Sequence, residues 1–303
     1  MSVPNCTEWV TLAGGPSHSL IYRTYALDAR NPQITRALVM IHGAGRDADN
    51  YFRTALAAAF LAGALEDTIV ISPRFASNSN TCRDALAPNE VSYSCNGDSW
   101  RSGGTSISSE KITSYDFTDE ILRKLARKDV FPNLKSIVVA GHSAGGQYVN
   151  RYEMSNQVHD TLGIPITYVV SNPSSYAYLD ASRPAQDLSA PCKNFDRWPY
   201  GLETRTGGYT AKQSDEQLKK QLADRPVTYL LGEIDILPLG GFDGSCSAMT
   251  QGPTRLARGQ AFGKVVNEKY GAKHTTTVVA LCGHNARCMF TAESALPILF
   301  PKQ

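Results

Sequence analysis

An alternation constrains this chain more than any single residue. Short β-branched and apolar runs recur at 37–41, 68–72, 136–140, 166–171, 227–231 and 275–281, and stretches with helical spacing lie at 50–65, 113–128, 146–154 and 253–270. Most of the runs are continuously apolar, as expected of central parallel strands covered on both faces. In 116–128, Phe117, Ile121, Leu122 and Leu125 recur at helical spacing beside Asp119, Glu120, Arg123 and Lys124, which gives that helix one apolar face. Strand, helix, strand in this order implies an α/β fold with a mostly parallel sheet and helices on both faces. Residues 9–26 are expected to form antiparallel edge strands. The 303 residues are enough to bury a sizeable core, and a single domain over 1–303 is the reading.

Composition narrows the function. Thirty basic against twenty-eight acidic side chains give a net charge of +2, too little for a nucleic-acid footprint, so no nucleic-acid partner is expected. No stretch reaches the roughly 18 apolar residues of a membrane span; the best candidate, 55–65, reads as a buried helix. The seven cysteines (6, 82, 95, 192, 246, 282 and 288) form no Cys-x-x-Cys pair, and all but Cys6 fall in segments read as loops or loop edges. That placement suits disulfides, and hence a secreted or periplasmic protein. The N-terminus, Met1 to Cys6, carries no basic or apolar signal segment and reads as a mature form given a start methionine. Expected pairs are Cys82–Cys95, Cys192–Cys246 and Cys282–Cys288, with Cys6 free; the alternative joins Cys246 to Cys282 or Cys288.

Two segments interrupt the alternation. Residues 74–112 are rich in Ser, Asn and Gly and hold Cys82, Cys95, Trp100 and Gly103-Gly104; residues 172–225 hold Tyr176, Tyr178, Pro191-Cys192, Trp198, Tyr200 and a short helix near 213–222. Long irregular segments in a compact domain are usually functional loops or disorder, and the aromatics and cysteines argue against disorder. The second reads as a small cap-like insertion.

Directly after the run 136–140 stands Gly141-His142-Ser143-Ala144-Gly145, and a helix follows. The bare Gly-x-Ser-x-Gly pattern is weak evidence, but its place between a buried strand and a helix is not. A sharp turn there holds a serine in a strained conformation with its hydroxyl above the sheet, and glycines on either side keep Cβ atoms out of the strand–helix contact. The helix start adds free N–H groups where negative charge would develop.

On these residues, the chain over about 35–295 resembles the α/β-hydrolases, in which a nucleophilic serine, an acid and a histidine follow one another along the chain, each at a strand end. The motif at 141–145, with Phe131-Pro132-Asn133 before it and Asn172-Pro173-Ser174-Ser175-Tyr176 further on, looks like a secreted-type subgroup. After the strand 227–231, Glu233 and Asp235 both qualify as the acid. The resemblance favours Asp235, with Glu233 and Asp243 as alternatives. Of six histidines, only His284 lies both late in the chain and after a strand. His18, His42, His142, His159 and His274 fail on order or on strand end. The resemblance further implies an oxyanion hole from the N–H groups of Ala144 and Ala44, with Gly45 as fallback and His42 structural.

The resulting expectation is a serine esterase acting through an acyl-enzyme on Ser143. Its rivals are an amidase or peptidase with the same residues, and a non-catalytic binding protein of the same fold. Asp47 and Asp49 read better as a helix cap and first-turn acid than as a cation site. No zinc or nucleotide motif is present, and Gly-x-Gly at 43–45 lacks the rest of the dinucleotide fingerprint, so no metal or cofactor is expected. A small-molecule or polymeric ester is the expected substrate, and a monomer the expected state. The pocket should open above the strand ends, walled by the two long segments. Tyr176 is the first expected substrate contact, with Trp100 and Trp198 behind it. An open, partly aromatic cleft of that kind would favour short-chain or aromatic esters. The Asp98–Gly104 loop either lines it or packs on itself.

Overall fold

The computed structural model describes residues 6–95, 99–185, 192–205 and 208–302. Met1 to Asn5, Asp98 and Pro191, which figure in the sequence reading, lie outside the described residues. The strands are β1 (Thr7–Thr11), β2 (His18–Arg23), β3 (Arg36–Ile41), β4 (Thr68–Pro73), β5 (Ser136–His142), β6 (Ile166–Ser171), β7 (Val227–Gly232) and β8 (Thr275–Val279). They form one sheet in the order β1-β2-β4-β3-β5-β6-β7-β8. β1 and β2 are antiparallel, as β2 is to β4, and every other pair is parallel. β8, at the far edge, is mostly exposed, although its run of β-branched residues resembles that of the covered strands.

The helices are α1 (Ala48–Leu61), α2 (Ser114–Leu125), α3 (Ala144–Ser155), α4 (Asp215–Asp224), α5 (Cys246–Met249), α6 (Arg255–Tyr270), α7 (Ala286–Thr291) and α8 (Leu296–Leu299). Successive side chains of a strand face opposite sides, so β3 sends Val39 and Ile41 into one core with Phe117 of α2, Tyr148 of α3 and Phe262 of α6. Leu38 and Met40 enter a second core with Phe52 of α1, Met289 of α7 and Leu299 of α8. Helices therefore cover both faces. α2 begins in a capping box between Thr113 and Asp116, which fixes its start against the irregular segment before it.

The sequence suggests one terminal helix near 291–300. The structure instead has the short helices α7 and α8, and Pro297, in the first turn of the second, suits a new start rather than a continuation. α1 is buried on one side only, with Phe60 and Leu61 exposed. No described helix is long and apolar enough to cross a membrane. All three expected disulfides are present, each with Cα atoms 5.8 Å apart, and Cys6 is free. One pins the 74–112 segment, one ties the insertion to α5, and one closes the turn between β8 and α7.

Candidate active site

Ser143 joins β5 to α3 at φ +60°, ψ −119°, a strained backbone for a residue with a side chain. Its N–H donates to the carbonyl of Ser171 on β6 (2.9 Å). The turn closes only because its neighbours lack side chains. A Cβ on Gly141 would stand 2.3 Å from the Gly145 carbonyl oxygen, one on Gly145 2.3 Å from that of Ile41, and one on Gly146 2.4 Å from that of Ser171. The serine hydroxyl is thereby set at the carboxyl edge of the sheet, at the N-terminus of α3.

His284 comes from the turn after β8, which Cys282–Cys288 closes and in which Asn285 caps α7 by accepting from the Cys288 N–H (3.0 Å). Its Nε2 lies 2.9 Å from Ser143 Oγ and its Nδ1 2.8 Å from Asp235 Oδ2. A buried carboxylate can only accept, so Nδ1 carries the proton and Nε2 is left to accept from the serine hydroxyl. Asp235 is held by its N–H to the Gly232 carbonyl (3.1 Å), and its other oxygen accepts from Arg255 (3.3 Å). The alternative acids are engaged elsewhere. Glu233 accepts from the Leu281 N–H (2.8 Å), bracing the turn that leads to His284, and Asp243 accepts from the Tyr200 hydroxyl (2.8 Å).

The turn after β3 is built around a neutral His42. Its Nε2 accepts from the Phe75 N–H (3.2 Å), which leaves Nδ1–H to donate to the Gly43 carbonyl (2.8 Å). Burial pushes its pKa down to about 4. The Gly43 carbonyl also accepts from the Arg46 N–H (3.2 Å). In a trans peptide the N–H points away from the preceding carbonyl, so the Ala44 N–H faces the opposite side. Among the described residues, neither Ala44 nor Ala144 gives its N–H to a protein acceptor. A side chain on Gly43 would meet the Tyr51 hydroxyl at 2.7 Å.

A cleft of about 550 Å³ opens over Ser143 and His284, walled by Gly43 to Gly45, Asp47, Asn50, Tyr51, Gly240, Gly241 and Arg287. The loop after Asp235, which reaches the cleft wall at Gly240 and Gly241, also carries the exposed apolar side chains Ile236, Leu237 and Leu239. The structure does not bring the expected aromatic contacts here. Tyr176 is wholly buried, stacked on Phe262 of α6 at 4.6 Å, because the segment after β6 turns down under α6. Trp100 is buried against Phe75 and His42, behind the Gly43 turn. Trp198 is half-buried and donates from its indole N–H to the Ser102 carbonyl (3.1 Å), joining the two long segments. Aromatic residues in polar stretches are core side chains here, not cleft walls. Asp47 stands at the N-cap of α1 without a capping bond to the helix, and Asp49 pairs with Arg53. The sequence reading missed Tyr51, Asn50 and Arg287 on the cleft wall, Asn172, and Arg255. Asn172 links the Gly232 N–H (2.8 Å) to the turn of His284.

A burial effect isolates the histidine. His142, whose ring lies 4.6 Å from that of His284, is wholly enclosed, and burial holds it well below its usual pKa, followed by the fields of His284 and Arg255.

Comparison with known proteins bears on the fold. Among solved structures, the chain is similar to poly(aspartic acid) hydrolase-1 from Sphingomonas sp. KT-1 (22% identity, TM-score 0.68, covering 98% of this chain and 100% of that one). It is also similar to a poly(3-hydroxybutyrate) depolymerase from Bordetella parapertussis (21%, TM-score 0.65, 94% and 84%) and, more distantly, to a thermostable esterase from Pseudomonas putida (12%, TM-score 0.51, 97% and 79%). No curated protein matches the sequence. The family model described as "Alpha/beta hydrolase family" matches residues 38–291, which include every strand of the parallel sheet except the first residues of β3. On that match, the chain belongs to the alpha/beta hydrolase family.

Proposed function

We propose that the protein is a serine hydrolase of carboxylic esters, and that Ser143, His284 and Asp235 carry its reaction. The observation that supports this most is the row of two hydrogen bonds, 2.9 and 2.8 Å, that runs from Ser143 at the carboxyl end of β5 through His284 to a buried carboxylate. His284 Nε2 takes the Ser143 proton as Oγ attacks the ester carbonyl, and Asp235 stabilises the imidazolium that forms. The tetrahedral oxyanion is met by the N–H groups of Ala44 and Ala144. Collapse of the intermediate returns the proton from His284 to the departing alcohol and leaves an acyl group on Ser143. Water, deprotonated by the same histidine, releases the acid. Of the relatives in fold, the depolymerase is named for a polyester and the hydrolase for a polyamide, poly(aspartic acid), so the choice between ester and amide falls to the substrate comparison below. Chain 1–303 acts as one domain, with 172–225 as a cap-like insertion. Three disulfides support work in an oxidising compartment, outside the cell or in the periplasm.

The test is incubation with a fluorophosphonate probe followed by intact mass and peptide mapping. A single adduct on Ser143 is the expected result; no adduct would turn the reading toward a binding protein. Matched aryl esters and anilides then separate esterase from amidase. Faster turnover of the anilide would overturn the ester assignment.

A further inference from the structure

Arg255, the first residue of α6, is a fully buried arginine beside the proposed reaction centre that the mechanism above does not use. Its guanidinium holds three things at once. Nη1 donates to Asp235 Oδ1 (3.3 Å), Nε to Ser174 Oγ (2.7 Å), and Nη2 to the Gly240 carbonyl (3.0 Å). The bond to Oδ1 leaves Oδ2 for His284. The bond to Gly240 matters because that residue packs on the imidazole: a Cβ there would stand 2.8 Å from His284 Cδ2. Leu256, the next residue, also donates its N–H to the Asp235 carbonyl (3.4 Å).

We propose that Arg255 is a positioning residue that fixes which carboxylate oxygen meets His284 and holds the Gly240 wall against the imidazole. This rests on the reading of Ser143, His284 and Asp235 given above. A planar fork held on three sides cannot turn, so Asp235 cannot turn either. A lysine would keep the charge but not the three directions.

The other charged or titratable groups around the pair do not hold Asp235 in this way. His142 on β5 is held neutral by burial, and Tyr51 on α1 and Tyr176 after β6 are pushed above their usual range by burial. Arg258, one turn further along α6, donates to the carbonyls of Gly252, Ser174 and Asp243 rather than to Asp235. Asp47 and Arg287 stand on the cleft wall and are unaltered in the variants below.

The experiment measures kcat and KM on an aryl ester, and the rate of Ser143 labelling by a fluorophosphonate, in wild type, Arg255→Gln, Arg255→Lys and Ser174→Ala. Arg255→Gln should lower kcat roughly 10- to 100-fold with little change in KM. Arg255→Lys should keep the charge yet lose about 10-fold in kcat, and Ser174→Ala should lose a few-fold. Arg255→Gln with the wild-type kcat, whatever its melting temperature, would reduce Arg255 to a packing residue. If that variant does not fold, wild-type kcat in both other variants overturns the proposal. Wild type that fails to label at Ser143 would instead overturn the reading of the site.

Discussion

The elbow at 141–146 and the described parts of 172–225 (172–185, 192–205 and 208–225) are held in opposite ways. The elbow is held by backbone alone: three positions have no room for a carbon atom, and the strain at Ser143 is enclosed by carbonyl oxygens from β3, the elbow and β6. Side chains hold the insertion. Arg183 there is buried, with its guanidinium 4.5 Å above the Tyr178 ring and bonded to Asp196 and to the carbonyls of Phe195 and Tyr200. Tyr176 and Trp198 complete it from below. The described residues of this segment are therefore packed in place by their side chains. Changes near the elbow should cost rate, and changes in the insertion should cost stability.

That contrast can be broken in a definite order. Ser143→Ala should lower kcat on the order of 10⁶-fold, and adding His284→Ala should cost little more, because the groups act as a unit; melting should be unchanged. Asp235→Asn should lose about 10⁴-fold, while Glu233→Gln stays near wild type, since an amide oxygen can still accept from Leu281. The reverse result would move the acid to Glu233. Tyr176→Ala should cost about 3–5 kcal/mol of stability, as for a large aromatic removed from a core, and leave kcat/KM of the folded enzyme unchanged. A kinetic defect without a melting shift would return Tyr176 to the substrate and erase the contrast.

The smallest effect sharpens the elbow side. His42 is neutral in the fold with a pKa of about 4, against about 6.5 in the unfolded chain. The unfolded state thus binds the proton first as pH falls. The contribution of neutral His42 to stability should be fully present above pH 6.5 and decline by up to about 3 kcal/mol as pH falls to 4. His159, also lowered to about 4 by burial, adds to the slope. Urea melts of wild type and His42→Asn between these pH values check this; a variant slope equal to wild type would remove His42 from the account.

What the sequence discloses follows the range of the forces involved. Covered parallel strands read as apolar runs because both faces are buried, so β3 to β7 fall within a residue or two of their expected limits. Ser143 and His284 could be singled out because strand ends and chain order restrict them, and the glycines because a tight turn is a local matter. The same rule leaves Glu233 beside Asp235, and it is the resemblance that favours Asp235, which the structure sets 2.8 Å from His284. The substrate contacts could not. Tyr176 and Trp100 sit in polar stretches, and only the tertiary path of those stretches decides whether a ring faces water or core. Arg255 was hidden for the same reason: a cation in a first helical turn resembles any surface residue until Asp235 is placed beside it.

The closeness of the elbow has a consequence for altering this enzyme. A side chain cannot be introduced at Gly141, Gly145 or Gly146 without moving a carbonyl oxygen, whereas Asn50, Thr54 and Arg287 border the same cleft from helices on its rim. Under the proposed reaction, the turn that carries Ser143 and the rim of the cleft are thus separable in a mutant library. Diversity placed at the rim searches specificity among folded proteins, and diversity placed at the turn is spent on chains that cannot close.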